Sequence, residues 1–197
     1  ESIETFPFPQ PPQSRVIKDG YNVLHEIGAI DGERRLTAIG RTLSALPIDP
    51  RLGRIIVAAI DHDCVKEVLV IVSALSVSDP RDRPRDVREL ADRAHKRYAD
   101  TRSDFMWFVK AWDDVRKLVE LPRNRRQRAC RRLFLSVARV SEWVRVHDEL
   151  ADRLRQDGIM LNAEAATYKR IHCAILSGFP ALVGEWRDDR YQGCRET

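Results

Sequence analysis

Residues 24–54 read Leu24-His25-Glu26-Ile27-Gly28-Ala29-Ile30-Asp31-Gly32-Glu33-Arg34-Arg35-Leu36-Thr37-Ala38-Ile39-Gly40-Arg41-Thr42-Leu43-Ser44-Ala45-Leu46-Pro47-Ile48-Asp49-Pro50-Arg51-Leu52-Gly53-Arg54. Gly28 tolerates the left-handed conformation and marks the end of a helix that Ser14 caps and that carries Val16, Ile17, Val23, Leu24 and Ile27. Ala29–Leu36 reads as a tight hairpin, with Asp31-Gly32 as its turn. Thr37 caps a short helix with Ile39, Leu43 and Leu46 on its apolar side, and Pro47 stops it. Asp49-Pro50 opens another helix, with Asp at the cap and Pro in the first turn. Helix, small hairpin and helix are the material of a winged helix, although a whole one needs more helix than this stretch holds.

Upstream, Phe6-Pro7-Phe8-Pro9-Gln10-Pro11-Pro12 predicts extended chain. Downstream the pattern is helical throughout. Residues 52–60 and 65–75 are apolar on most sides, as in helices buried within a bundle. Ser78–Arg85 is a rigid charged loop with alternating signs, and Asp86 with Glu89 resembles a capping box. Phe105, Phe108, Val109, Trp112, Val115 and Val119 keep helical spacing. Asn124 with Gln127 resembles another capping box, opening a longest helix that runs to about Gln156. Its stripe, Cys130, Leu133, Val137, Val140, Val144, His147, Ala151 and Leu154, steps by threes and fours like a bundle seam. Gly158 ends it, and Asn162 caps a last helix bearing Tyr168, Ile171, Ile175 and Phe179. The fold class is therefore mainly α, a partial winged helix followed by a helical bundle.

The chain has 197 residues, 43% of them hydrophobic and 32% charged, so it is globular and long enough to bury a core. No apolar run is long enough for a membrane span, and no signal-peptide pattern opens the chain, so a cytoplasmic protein, or a cut piece of one, is expected. Cys64, Cys130, Cys173 and Cys194 lie far apart without a CxxC, which predicts buried reduced thiols rather than zinc or disulfides. There is no GxxxxGK[ST], GxGxxG, GxSxG or HExxH pattern, so no catalytic, cofactor or metal residue is assigned. His147-Asp148-Glu149 places its histidine on the apolar seam and its acids outward, which reads as packing, and His172-Cys173 reads likewise.

Charge is distributed unevenly. The net charge is +4, yet residues 1–54 carry seven basic and seven acidic residues. Residues 116–132 carry eight basic residues against Glu120, so this one stretch supplies the whole excess. Arg123, Arg125, Arg128 and Arg132 are the candidate contacts to nucleic acid: guanidinium forks suit phosphate, and 125, 128 and 132 share one helix face. The competing reading is a solvated helix face in which Arg126 or Arg131 pairs with acids on neighbouring helices.

The order of these blocks resembles the region that follows the motor domains of DEAH-box RNA helicases. The likeness rests on residues 24–31, 36–41 and 46–54, then on Glu67-Val68-Leu69, Ala74-Leu75-Ser76, His95-Lys96-Arg97-Tyr98, Ser103-Asp104-Phe105 and Trp112. Asp79-Pro80-Arg81-Asp82-Arg83-Pro84 is closest to the bacterial HrpA-type subgroup. The resemblance implies a winged-helix part over 1–54, a ratchet-like helicase-associated bundle over 55–179 and the start of an OB-fold over 180–197. It implies an accessory region without catalysis of its own, in a parent that uses ATP and Mg. The expected partners are the parent's motor and OB-fold domains, single-stranded RNA and an activator protein. Pro47, Pro50, Arg51 and Arg54 are then the structural junction between winged helix and bundle. Two rivals stand beside it. One is a docking module with no nucleic-acid contact. The other is a DNA-binding regulator, disfavoured because the neutral first 54 residues offer only Arg41 on their second helix.

Overall fold

The computed structural model describes residues 3, 6–187 and 190–193, the final strands by their backbone alone. Helix α1 (Ser14–Glu26) begins at Ser14 itself, and no side chain caps it. It ends at Gly28, where φ is +73°. The Asp31-Gly32 turn does not form as expected. The left-handed residue is Arg34 (φ +60°), and the hairpin shrinks to a single antiparallel bridge, Ile30 to Leu36. The Asp31 carboxylate causes this by accepting the backbone N–H groups of Glu33 and Arg35, each at 2.9 Å, which winds the turn around itself. The Thr37 hydroxyl then caps α2 (Ala38–Ser44) from Gly40 N at 3.0 Å and donates to Gly28 O at 2.7 Å. Asp49 accepts from Arg51 N at 2.9 Å and starts α3 (Pro50–Asp61).

Helix α4 (Val65–Leu75) is the axis of the bundle. It is buried on nearly every side, as its apolar sequence predicts. Val68, Leu69, Ile71 and Val72 join the core made with α3 and α9 (Tyr168–Gly178). Val70 and Ala74 join a second core made with α6 (Phe105–Glu120) and α8 (Val137–Gln156).

Three further expected caps are absent. A short turn, Arg85–Val87, leads into α5 (Arg88–His95), and no side chain caps that helix. Pro122 rather than Asn124 flanks α7 (Arg123–Arg132), and α7 stops well short of Gln156. Phe134 takes φ +52°, and residues 134–136 pair with the charged loop instead of continuing the helix. Asp82 N donates to Phe134 O at 2.8 Å and Ser136 N to Pro80 O at 2.9 Å. The loop needs backbone partners, and α7–α8 supplies them by breaking. Finally, Thr167 caps α9, and Asn162 does something else. Its Oδ1 accepts Lys66 N at 2.8 Å, so it caps α4 from a distant part of the chain. Its Nδ2 donates to Glu67 Oε2 at 3.0 Å, and Glu67 Oε1 accepts Ala166 N at 2.9 Å. Strands β1 (Gly184–Arg187) and β2 (Arg190–Gly193) pair antiparallel at the end of the described chain.

Cys64 and Cys130 are buried and free, Cys173 is half-buried and free, and Cys194 lies outside the described residues. Burial pushes the Cys64 thiol up to about 11 and raises that of Cys130. Among the described residues no helix is long and apolar enough to cross a membrane. None of their His, Cys, Asp and Glu side chains cluster as a metal site would need.

Candidate nucleic-acid interface and domain junction

Helix α7 stands on the bundle through one thin contact line, because only Cys130 on it is fully buried. Arg123, Arg125, Arg128, Arg131 and Arg132 are exposed. No ion pair among the described residues uses any of these five. Arg126 differs: its guanidinium donates to the backbone carbonyls of Val119 and Leu121, tying α7 to the end of α6. The expectation that Arg126 or Arg131 pairs with acids is therefore not met. Arg125, Arg128 and Arg132 flank a shallow depression floored by Ala129 and Leu133. Arg128 and Arg131 border a second one with Asn124 and Gln127, polar residues that the capping-box reading had placed at a helix start.

The other charged stretch is spent on structure. Arg81 pairs with Asp79 at 2.7 Å and lies over Trp107 and Phe108, 5.1 and 5.5 Å from the ring centres. Arg83 pairs with Asp92 at 3.0 Å.

In the turn between α2 and α3, Leu46 is buried while Pro47 and Pro50 are exposed. The Arg51 guanidinium donates to both oxygens of Glu26, at 3.2 and 3.0 Å, and to Gly178 O at 3.1 Å. One side chain thus joins the ends of α1, α3 and α9. The Arg51 bonds hold the Glu26 carboxyl below its usual range against the opposing effect of burial, helped by a bond from Ala181 N at 3.1 Å. Arg54 donates from Nε to Ile27 O at 3.2 Å. Sequence reading names Arg51 and Arg54 and misses Glu26 and Gly178, which lie 25 and 127 positions from Arg51 and carry no local signal.

His147 packs against Trp112, ring centres 4.3 Å apart, with Nδ1 3.1 Å from Asp148 Oδ1. Asp148 turns to Arg116, which donates to both carboxylate oxygens at 2.8 Å. Burial lowers the His147 pKa, partly offset by Asp148. Below about pH 6.5 the unfolded chain takes up a proton that the folded chain resists, so stability falls as pH falls from that value toward the lowered one. His147→Phe, whose ring fits against Trp112, should flatten the dependence of Tm on pH between about pH 7 and 5. An unchanged slope in that variant would show that other groups set it. His172 is likewise held, between Tyr168 O and Ser103 Oγ at 2.7 Å each, and faces no reactive partner.

Comparison with known proteins agrees with this architecture. "Helicase associated domain (HA2), winged-helix" matches residues 21–48, and "Helicase associated domain (HA2), ratchet-like" matches residues 49–108. The boundary between the two falls between Ile48 and Asp49, within the proline-bracketed turn. The chain is 40% identical over 99% of its length to the ATP-dependent RNA helicase HrpA of Escherichia coli. It is 38% identical over its whole length to the HrpA homolog of Haemophilus influenzae. It is 31% identical over 82% of its length to the human probable ATP-dependent RNA helicase DHX34. It spans only 16% of the length of each of the two bacterial relatives. The chain belongs to the HrpA-type DEAH-box helicase family, of which it carries the HA2 winged-helix and ratchet-like region.

Proposed function

We propose that this chain is the accessory region of an ATP-dependent RNA helicase, packing on the parent's motor domains and lining part of the path of single-stranded RNA along α7. ATP and Mg belong to those motor domains, and this piece performs no catalysis. The parent works in the cytoplasm, and β1 and β2 open its OB-fold. Pro47 and Pro50 fix the joint between winged helix and bundle, while Arg51 and Arg54 brace it.

The observation that carries the RNA reading is the row of exposed arginines on α7 that have no carboxylate partner among the described residues. A cation already paired must give up its partner to take a phosphate, whereas these need only release water and counterions. Arg125 and Arg132 are seven positions apart, roughly 10 Å along the axis at 1.5 Å per residue, which suits a short backbone track rather than a single anion. The contacts specify no base, so binding is weak and largely indifferent to sequence.

The test is anisotropy of a labelled single-stranded RNA over a range of salt. Three phosphate contacts predict that log K falls against log salt with a slope of about −2, at roughly 0.7 per phosphate for single strands. Changing Arg125, Arg128 and Arg132 to Glu should abolish binding while circular dichroism stays unchanged, because these side chains are exposed and form no ion pair among the described residues. Salt-insensitive binding, or binding that survives in the folded variant, would refute the assignment. Loss of folding in the variant would mean that the arginines serve the fold.

A further inference from the structure

One concavity among the described residues plays no part in the RNA reading. It is an open groove of about 760 Å³ where the α2–α3 turn, the C-terminal end of α4 and the middle of α8 meet. Leu46, Ile48, Leu52, Val77 and Val146 give it an apolar floor. Its rim is acidic: Asp49, Glu142 and Glu149 stand around it, and the one cation, Arg145, is bound to Glu149 at 2.7 Å. Leu75, Ser76 and Val77 also line it, so the C-terminal end of α4 borders it. That end carries partial negative charge, and no basic residue sits in the last turn of α4 to offset it.

We propose that this groove docks a segment of a partner protein in which one or two large apolar side chains are flanked by lysine or arginine. The floor gives such a side chain a place to leave water, and the rim and helix end favour its charged neighbours. The same rim repels phosphate, so RNA is the wrong occupant. The assignment stands apart from α7 and does not depend on its binding RNA.

The probe is a fluorescein-labelled peptide alternating leucine with lysine, titrated into the chain, with counterparts carrying glutamate for lysine or alanine for leucine. We expect binding of the first peptide only, with amide NMR shifts centred on Leu46, Ile48, Val77 and Val146. Glu142→Lys with Glu149→Lys, checked for folding by circular dichroism, should weaken it about tenfold, the effect of losing roughly two rim attractions. The variant with Arg125, Arg128 and Arg132 changed to Glu should bind the peptide as before. The proposal is overturned if the glutamate or alanine peptide binds as well, or if nothing binds. Shifts that map elsewhere overturn it too, as does displacement of the peptide by single-stranded RNA. If concentrating the chain alone produces the same shifts, a second copy fills the groove and the proposal also fails.

Discussion

Trp143→Ala is expected to cost about 4 kcal/mol, the middle of the range for removing a large aromatic side chain from a core. Trp143 is fully buried. Its ring packs against Phe108 at 5.7 Å and Trp112 at 5.2 Å between ring centres, binding α8 to α6. Its indole N–H donates to Val70 O at 3.0 Å and to Ser73 Oγ at 3.1 Å, binding α8 to α4 as well. Truncation therefore opens a cavity at the meeting of three helices and removes the donor that Val70 O and Ser73 Oγ share. Ser73 Oγ stays within reach of Leu69 O at 2.6 Å and of Val70 O at 3.1 Å, and Val70 O lies inside the hydrogen-bonded ladder of α4, so lost packing accounts for most of the cost. For a chain of this length each kcal/mol lowers Tm by about 2–4 °C, so the melt should shift down by roughly 8–16 °C. Trp143→Phe separates the two contributions: it keeps most of the packing, loses the donor, and should cost about 1–3 kcal/mol. Thermal and urea melts followed by circular dichroism measure both. A loss below about 1 kcal/mol for Trp143→Ala would contradict the packing of α4, α6 and α8 around this ring.

Trp143 also shows where reading the sequence stops. The seam read on α8 passes through Val140, Val144 and His147, and those positions do face the core or its edge. Trp143 and Leu150 are buried beside it because α8 presents a wide face to two neighbours, not the narrow stripe of a two-helix contact. The elements governed by local chemistry were legible: the Thr37 cap, the Asp49-Pro50 start, the ends at Gly28 and Gly158, and α4 as a helix buried on most sides. The elements governed by distant partners were not. No glycine or proline marks the break between α7 and α8, since the left-handed position falls on Phe134 and is held by backbone bonds to the loop at 80–82. Asn162 has the composition of a local cap and serves a helix that begins almost a hundred positions earlier. The arginine surplus of α7 was visible as charge. Which arginines have partners is a property of the packed chain, and only the fold separates Arg126 from its neighbours.

Gly178→Ala is expected to destabilise the chain by about 2–3 kcal/mol, in the upper part of the usual range for overpacking. Gly178 is the last residue of α9, where that helix comes against α3. A Cβ there would lie 2.5 Å from the backbone oxygen of Arg51 and 2.6 Å from Cγ1 of Ile55. A clash with the tip of a flexible side chain is relieved by a rotamer change. A backbone oxygen has no such freedom, and Ile55 is fully buried with no empty space to turn into. The two helices must therefore move apart. That separation also lengthens the bond from Arg51 to Gly178 O, now 3.1 Å, and disturbs the half-buried pair of Arg51 with Glu26 at 3.0 Å. Alanine's better helix propensity returns less than about 1 kcal/mol, and less at a final helical position than in the interior, so the sign stays unfavourable. Arg51→Met is the informative companion. It removes the brace without forcing the helices apart, and should cost less than Gly178→Ala while releasing the Glu26 carboxyl toward its ordinary pKa, a shift that NMR titration of Glu26 would read directly. A Gly178→Ala chain as stable as the parent would mean that α3 and α9 do not approach this closely. A Glu26 pKa unmoved in Arg51→Met would mean that the guanidinium is not what holds it down.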